Sequence, residues 1–240
     1  MPEGYVAAFA RLPKLVMTEK LDGQNTCFNE KGVFARSHTA PSIHPWDRPM
    51  RERWERMKKD LGNLELFGEN MYGIHSIAYH NLESYFYLFA VRQEDTWLSW
   101  EEVQFYAALF DFPTVPEIPL SFSLTDALAS SRNENEALAW WLQQNLGLPW
   151  EEWVHTPGTL GGVDPLTGQP ACEGLVIRSA GGFTGQEGLV PVASNELDSV
   201  FKLVRKGHVT TSEHWTKTWK PASLITCETY QWYGYEHLKR

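Results

Sequence analysis

Apolar positions in this chain fall into short runs bounded by turn residues, and their spacing switches repeatedly between the period of a strand and that of a helix. Leu15 to Met17 is a short, mostly apolar run that leads into Thr18-Glu19-Lys20-Leu21-Asp22-Gly23-Gln24-Asn25, so it predicts a strand that enters the core and turns at Asp22-Gly23. Thr26 to Asn29 and Val33 to Ser37 read as two strands around a hairpin turn at Glu30-Lys31-Gly32, with Arg36 near the end of the second. Leu64 to Met71 alternates up to Gly68-Glu69 and delivers Glu69 at its end, and Ser84 to Val91, dense in aromatics, reads as a buried strand. Leu175 to Arg178 predicts an apolar strand with Glu173 at its mouth, and Gly185 to Ala193 a further one. Ser199 to Arg205 alternates so that Lys202 lies opposite Phe201 and Leu203, and an inward lysine needs a partner such as a bound anion.

Helical periods occur in three places. Arg51 to Asp60 predicts a charged helix with a Trp54, Met57, Leu61 edge. Ser99 followed three residues later by Glu102 forms a capping-box signature, and Asn133 to Asn145 places Leu138, Trp141 and Leu142 on one face before a stop at Gly147. Ser42 to Pro49 reads as a loop, and Pro157 to Gly168 as a glycine-rich, mobile loop without the GxxxxGK[ST] pattern of a P-loop. His75 and His80 read as polar loop residues.

Composition narrows this picture. With 240 residues and 42% hydrophobic content the chain can bury a sizeable core. Three isolated cysteines, Cys27, Cys172 and Cys227, suggest neither a disulfide framework nor a zinc ribbon and fit a reducing cytosol. There is no signal-peptide pattern and no apolar run long enough to span a membrane, so a soluble cytoplasmic protein is expected. A net charge of -9 argues against coating nucleic acid by bulk electrostatics, which leaves any such binding to a local groove.

The candidate chemistry centres on Lys20. A nucleophilic amine must be neutral, and an unperturbed lysine is neutral only about once per thousand molecules near pH 7.4. The site is therefore expected to lower the Lys20 pKa, with a metal or neighbouring cations as the means.

In order, the chain presents K-L-D-G at 20–23, Arg36, Gly68-Glu69, the aromatic strand F-Y-L-F-A at 86–90, E-G-L-V-I-R at 173–178 and K-L-V-R at 202–205. This series resembles the covalent nucleotidyltransferase superfamily of ATP-dependent ligases and GTP-dependent capping enzymes. Within it, E-K-L-D-G-Q-N and F-K-L-V-R-K-G-H-V-T-T-S-E-H-W are most similar to ATP-dependent RNA ligases of the RNA-ligase-2-like branch.

The resemblance implies an α+β, antiparallel-sheet nucleotidyltransferase domain over 1–206, with a helical insertion at about 99–150. A short extension at 207–240 is too small for an OB-fold. It implies ATP and Mg²⁺ or Mn²⁺ as cofactors, with RNA ends or a nicked RNA duplex as substrate. A monomer without membrane contact is expected, with an end-healing protein as its candidate partner.

By position, Lys20 matches the lysine that becomes adenylated, and Arg36 an arginine that contacts the nucleotide. Asp22, Glu69 and Glu173 match carboxylates near the metal, with Glu69 also near the ribose. Phe86 matches the aromatic that stacks on adenine, and Lys202 the lysine at the α-phosphate. Glu19 matches a strand residue whose backbone faces the base. Asn25 is the polar residue just past the lysine motif. Ala90 stands where many relatives have aspartate, and Val204 where some have a second lysine. A DNA ligase or capping-type guanylyltransferase with a partner domain, or a non-catalytic nucleotide or RNA-end binding module, are the alternatives.

Overall fold

A computed structural model describes residues 4–35, 39–184, 199–207 and 219–225. Helix α1 (Tyr5–Phe9) precedes strands β1 (Leu15–Lys20), β2 (Gln24–Asn29) and β3 (Gly32–Ala35). A 3-10 turn at Pro45–Asp47 runs into helix α2 (Arg48–Met57). Strands β4 (Leu64–Asn70), β5 (Ala78–Tyr79), β6 (Phe86–Gln93) and β7 (Thr96–Trp97) follow, then helix α3 (Trp100–Leu109) and strand β8 (Glu117–Ile118). Helices α4 (Leu124–Ser130), α5 (Glu134–Leu146) and α6 (Trp150–Trp153) lead to strands β9 (Gly162–Val163), β10 (Gly174–Ser179), β11 (Phe183–Thr184) and β12 (Val200–Val204).

Among the described residues every pairing between these strands is antiparallel, with parallel contact confined to isolated bridges such as Leu88–Thr114, and the fold class is α+β. One sheet has the order β12-β10-β1-β8, a second β11-β7-β6-β4-β2-β3, and a two-stranded ribbon joins β5 to β9. Alternation along β1 divides the interior, because successive strand residues point to opposite faces. Val16 joins a core with Phe28, Leu66, Leu88 and Val103, whereas Met17 joins a second core with Trp141, Leu175 and Ile177. Lys20 shares the parity of Val16, and Glu19 that of Met17.

The helical tract belongs to both cores. Val103 of α3 packs into the first, Leu124, Leu138 and Trp141 of α4 and α5 pack into the second, and β8 pairs with β1. Helix α2 starts at Arg48, three residues before the predicted Arg51, because Pro49 is tolerated in a first helical turn. The Pro157 to Gly168 stretch, expected to be a mobile loop, is tied down instead. Gly162 and Val163 pair with β5, and the Asn81 amide donates to the Leu160 carbonyl at 3.0 Å. The predicted strand at 185–193 and the 208–215 motif lie outside the described residues. Among the described residues no helix is long and apolar enough to cross a membrane.

Candidate active site

Lys20 ends β1, and its side chain remains 24% exposed. Its Nζ donates to Glu173 Oε1 at 2.5 Å. Glu173 immediately precedes β10, whose Gly174 is the register partner of Lys20, so the pairing of two neighbouring strands brings base and acid together. Asp22 and Glu69 also lie close enough to act electrostatically on Lys20. Glu69 arrives on β4 from the other sheet, and its Oε1 accepts the Gly23 amide at 3.2 Å. Asp22 is held by the Ser76 amide, which donates to its Oδ2 at 2.7 Å.

Each of these carboxylates has a glycine neighbour, and close packing accounts for all three. A Cβ on Gly23 would stand 2.6 Å from the Asn70 carbonyl oxygen, on Gly68 2.3 Å from the Phe86 ring, and on Gly174 1.9 Å from the Leu203 carbonyl oxygen. The Asp-Gly step read as a turn signal is therefore also a place where β4 presses on the chain.

The protein's own residues act on the lysine in the opposite direction to the lowering expected from a metal or added cations. Burial pulls the Lys20 pKa down, but Glu173, Glu69 and Asp22 outweigh it, and the net shift is upward. The protein's own residues thus hold an ammonium at this position. Desolvation, with repulsion from Glu173 and Asp22, pushes the Glu69 carboxyl up to about 8 despite the attraction of Lys20 and the Gly23 hydrogen bond. Several carboxylates crowding one cation in a dry site cannot all be ionised.

The remaining sequence-derived residues divide. Lys202 is half-buried on β12, and the register Lys202–Val176–Thr18 sets it on the Lys20 face, two strands or roughly 10 Å from Thr18. Asn25 pairs with Glu69 and shares its face. Glu19 points to the opposite side, where its Oε1 accepts the Thr159 amide at 2.8 Å and the Thr159 hydroxyl at 2.5 Å. Its main-chain amide donates to the Pro116 carbonyl. Arg36 lies outside the described residues.

Phe86 does not present a face to a base. It is 1% exposed, with the Phe28 and Phe112 rings 4.7 and 4.9 Å away and Gly68 beneath it. Tyr87 is buried too, its hydroxyl accepting the Glu83 amide. Phe89 is the half-buried aromatic of β6, at a register shift in which Phe67 pairs with Ala90 and Gly68 with Leu88. No alternation along this stretch singles out Phe89, because Phe86, Tyr87 and Leu88 are all buried and the register shifts beside it. Tyr79 and Thr159 escaped sequence reasoning altogether, since both act from two-residue strands and loops that carry no periodicity.

The donor set suits a hard divalent cation, being all carboxylate oxygen. The described residues contain no ready-made cluster of three or more His, Cys, Asp or Glu for a metal, and one oxygen of each of Asp22, Glu69 and Glu173 already accepts a protein hydrogen bond. This fits an ion such as Mg²⁺, which keeps several waters and is shared with substrate phosphates, better than a closed protein cage.

A lysine closing one sheet is thus faced by carboxylates from that sheet and from the next. The RNA ligase family model matches residues 13–204, and the chain belongs to the RNA ligase family. No curated protein matches it. Among solved structures it is similar to a mutant of Naegleria gruberi RNA ligase with ATP and Mn, at 18% identity and a TM-score of 0.44. That likeness covers 75% of this chain and 52% of the other, so the chain spans about half the length of that relative.

Proposed function

We propose that this protein is an ATP-dependent RNA ligase that joins a 3′-hydroxyl to a 5′-phosphate through a covalent lysyl-AMP at Lys20. The observation that carries this reading is the position of Lys20, partly buried at a strand end between carboxylates of two sheets, in a chain of the RNA ligase family. In the first step the Lys20 nitrogen bonds to the α-phosphorus of ATP as the bond to pyrophosphate breaks. The amine must shed a proton, and Glu173 Oε1 is the acceptor in contact with it. AMP then passes to the RNA 5′-phosphate, and the 3′-hydroxyl displaces it to close the strand.

Such transfer needs alignment and charge neutralisation more than bond-making groups. Asp22, Glu69 and Glu173 would hold Mg²⁺ or Mn²⁺ largely through water, and the bound ion would act as Lewis acid toward phosphate oxygens. Lys202 faces the α-phosphate from across the sheet, and Arg36 is assigned to the nucleotide and to the RNA steps. Phe89 replaces Phe86 as the aromatic bordering the base. The physiological substrate is taken to be RNA ends or a nicked duplex, with end-healing left to a partner.

The test is incubation with α-labelled ATP and Mg²⁺ or Mn²⁺, followed by a nicked RNA duplex. The wild type should acquire label and seal the nick, and Lys20→Ala should not be labelled. Absence of any Lys20-dependent adduct overturns the reading, and labelling by GTP alone indicates a capping-type enzyme.

A further inference from the structure

Lys20 is flanked by two acidic residues that point to opposite sides of β1, and both are gripped by the β5–β9 ribbon and its connections. On the Asp22 side, Tyr79 of β5 is buried and its hydroxyl oxygen accepts the Asp22 main-chain amide at 2.9 Å. Ser76, three residues earlier, donates its amide to the Asp22 carboxylate. On the Glu19 side, Thr159 donates both its amide and its hydroxyl to one carboxylate oxygen. Gly158 closes the same contact, since a Cβ there would stand 2.7 Å from Glu19 Oε2 and 2.9 Å from Cys172 Sγ.

These grips belong to one body. Tyr79 pairs with Gly162, and Asn81 bonds to Leu160. The Gly162 amide also donates to Pro157, and Gly162 accepts the Ala171 amide. Two residues beyond Ala171 the chain reaches Glu173, the partner of the lysine. A strand end held only on one side can rock about its axis. Held through the residue before and the second residue after Lys20, it cannot.

We propose that the β5–β9 ribbon is a two-sided clamp in which Tyr79 and Thr159 act as positioning residues that aim Lys20 without touching substrate. The inference rests on the ligase reading above and adds to it the parts that fix the direction of the nucleophile. Approach geometry matters steeply in such transfers, where a misplacement of about 1 Å can cost about a hundredfold in rate.

Tyr79→Phe removes the hydroxyl that receives the Asp22 amide, Thr159→Val removes one of the two donors to Glu19, and Thr159→Ser restores it. Single-turnover transfer of label from α-labelled ATP should slow at least tenfold in Tyr79→Phe and several-fold in Thr159→Val. The ATP concentration for half-maximal rate should stay unchanged, and Thr159→Ser should recover the wild-type rate. A second measurement needs no ATP. Under brief reductive methylation read by mass spectrometry, Lys20 should react at least threefold faster in Tyr79→Phe and Thr159→Val than in wild type, with the other lysines unchanged. Wild-type labelling rates in both variants, or an unaltered Lys20 methylation rate, overturn the clamp. Failure of the wild type itself to form an adduct overturns the ligase reading, and the methylation comparison still decides the clamp.

Discussion

Glu69 lies among Lys20, Asp22 and Glu173, and its carboxyl holds a proton up to about pH 8 because desolvation and like charge outweigh the pull of the lysine. In an unfolded chain the same group loses its proton near 4.5. Folding therefore takes up a proton between these values, so this residue's effect on stability is most favourable below about 4.5 and declines as pH rises toward 8. Glu69→Gln removes the titration, and in chelator-treated protein the stability difference between variant and wild type should grow in the variant's favour from pH 5 to pH 8. Urea midpoints at each pH check this, and a difference independent of pH contradicts it. The aromatic assignment separates in a similar way. Phe86→Ala should destabilise the fold by about 3–5 kcal/mol, as expected for an emptied aromatic core site, while the ATP dependence of adduct formation in the folded fraction stays unaltered. Phe89→Ala should raise the ATP requirement at a smaller cost in stability. The reverse pattern would restore Phe86 to the site.

At the level of elements, periodicity did most of the work where it was long and failed where it was short. Strands β1, β2, β4, β6, β10 and β12 and helices α3 and α5 overlap closely with the runs that predict them, because each buries its apolar positions in one or both of the cores. The capping box at Ser99 is present in full, with the Ser99 hydroxyl accepting the Glu102 amide and the Glu102 carboxylate accepting the Ser99 amide. The Ser99 hydroxyl also donates to the Glu102 carboxylate at 2.6 Å, and this bond first, then the one from the Ser99 amide, holds the Glu102 carboxyl below its ordinary 4.5. Its contribution is thus complete above the unfolded value and is lost as pH falls through the lower folded one. Ser99→Ala should cost about 1 kcal/mol at pH 7 and less below pH 4, measured by thermal melts at both. Strands β5 and β9 were illegible because two-residue strands have no period, and their pairing partners stand more than 80 residues apart. The glycines of the 157–168 stretch suggested freedom, whereas at Gly158 and Gly161 they allow close contact with Glu19 and Asn81.

Across the whole molecule, the site depends on how the two large sheets are held together, and Arg178 spans that junction. It sits on β10 of the four-stranded sheet, beside Val16 in register. Its Nη1 donates to the Phe89 carbonyl on β6 at 2.9 Å, and its Nη2 to the Leu98 carbonyl just after β7 at 3.0 Å. The guanidinium lies 5.7 Å from the centres of both the Trp100 and Phe183 rings. Burial lowers its pKa to about 10, so it stays charged at neutral pH. The sequence offered this residue only as the end of E-G-L-V-I-R, since an arginine closing an apolar strand reads equally well as a solvent-facing end. What it could not show is that the carbonyls it satisfies lie some 80 to 90 residues away. Two carbonyls of one sheet answering a planar fork from the other require Arg in particular, because a lysine has the charge but not the paired donors. Arg178→Leu should therefore cost about 3 kcal/mol or more, through two carbonyls left buried without donors and the loss of charged hydrogen bonds. Arg178→Lys should recover less than half of that. Because Lys20 and Glu69 approach from the two sheets that Arg178 joins, both variants should also slow adduct formation beyond what their folded fraction explains. Urea unfolding beside single-turnover labelling separates the two effects. If Arg178→Lys matched wild type in both, charge alone would join the sheets and the fork would be incidental.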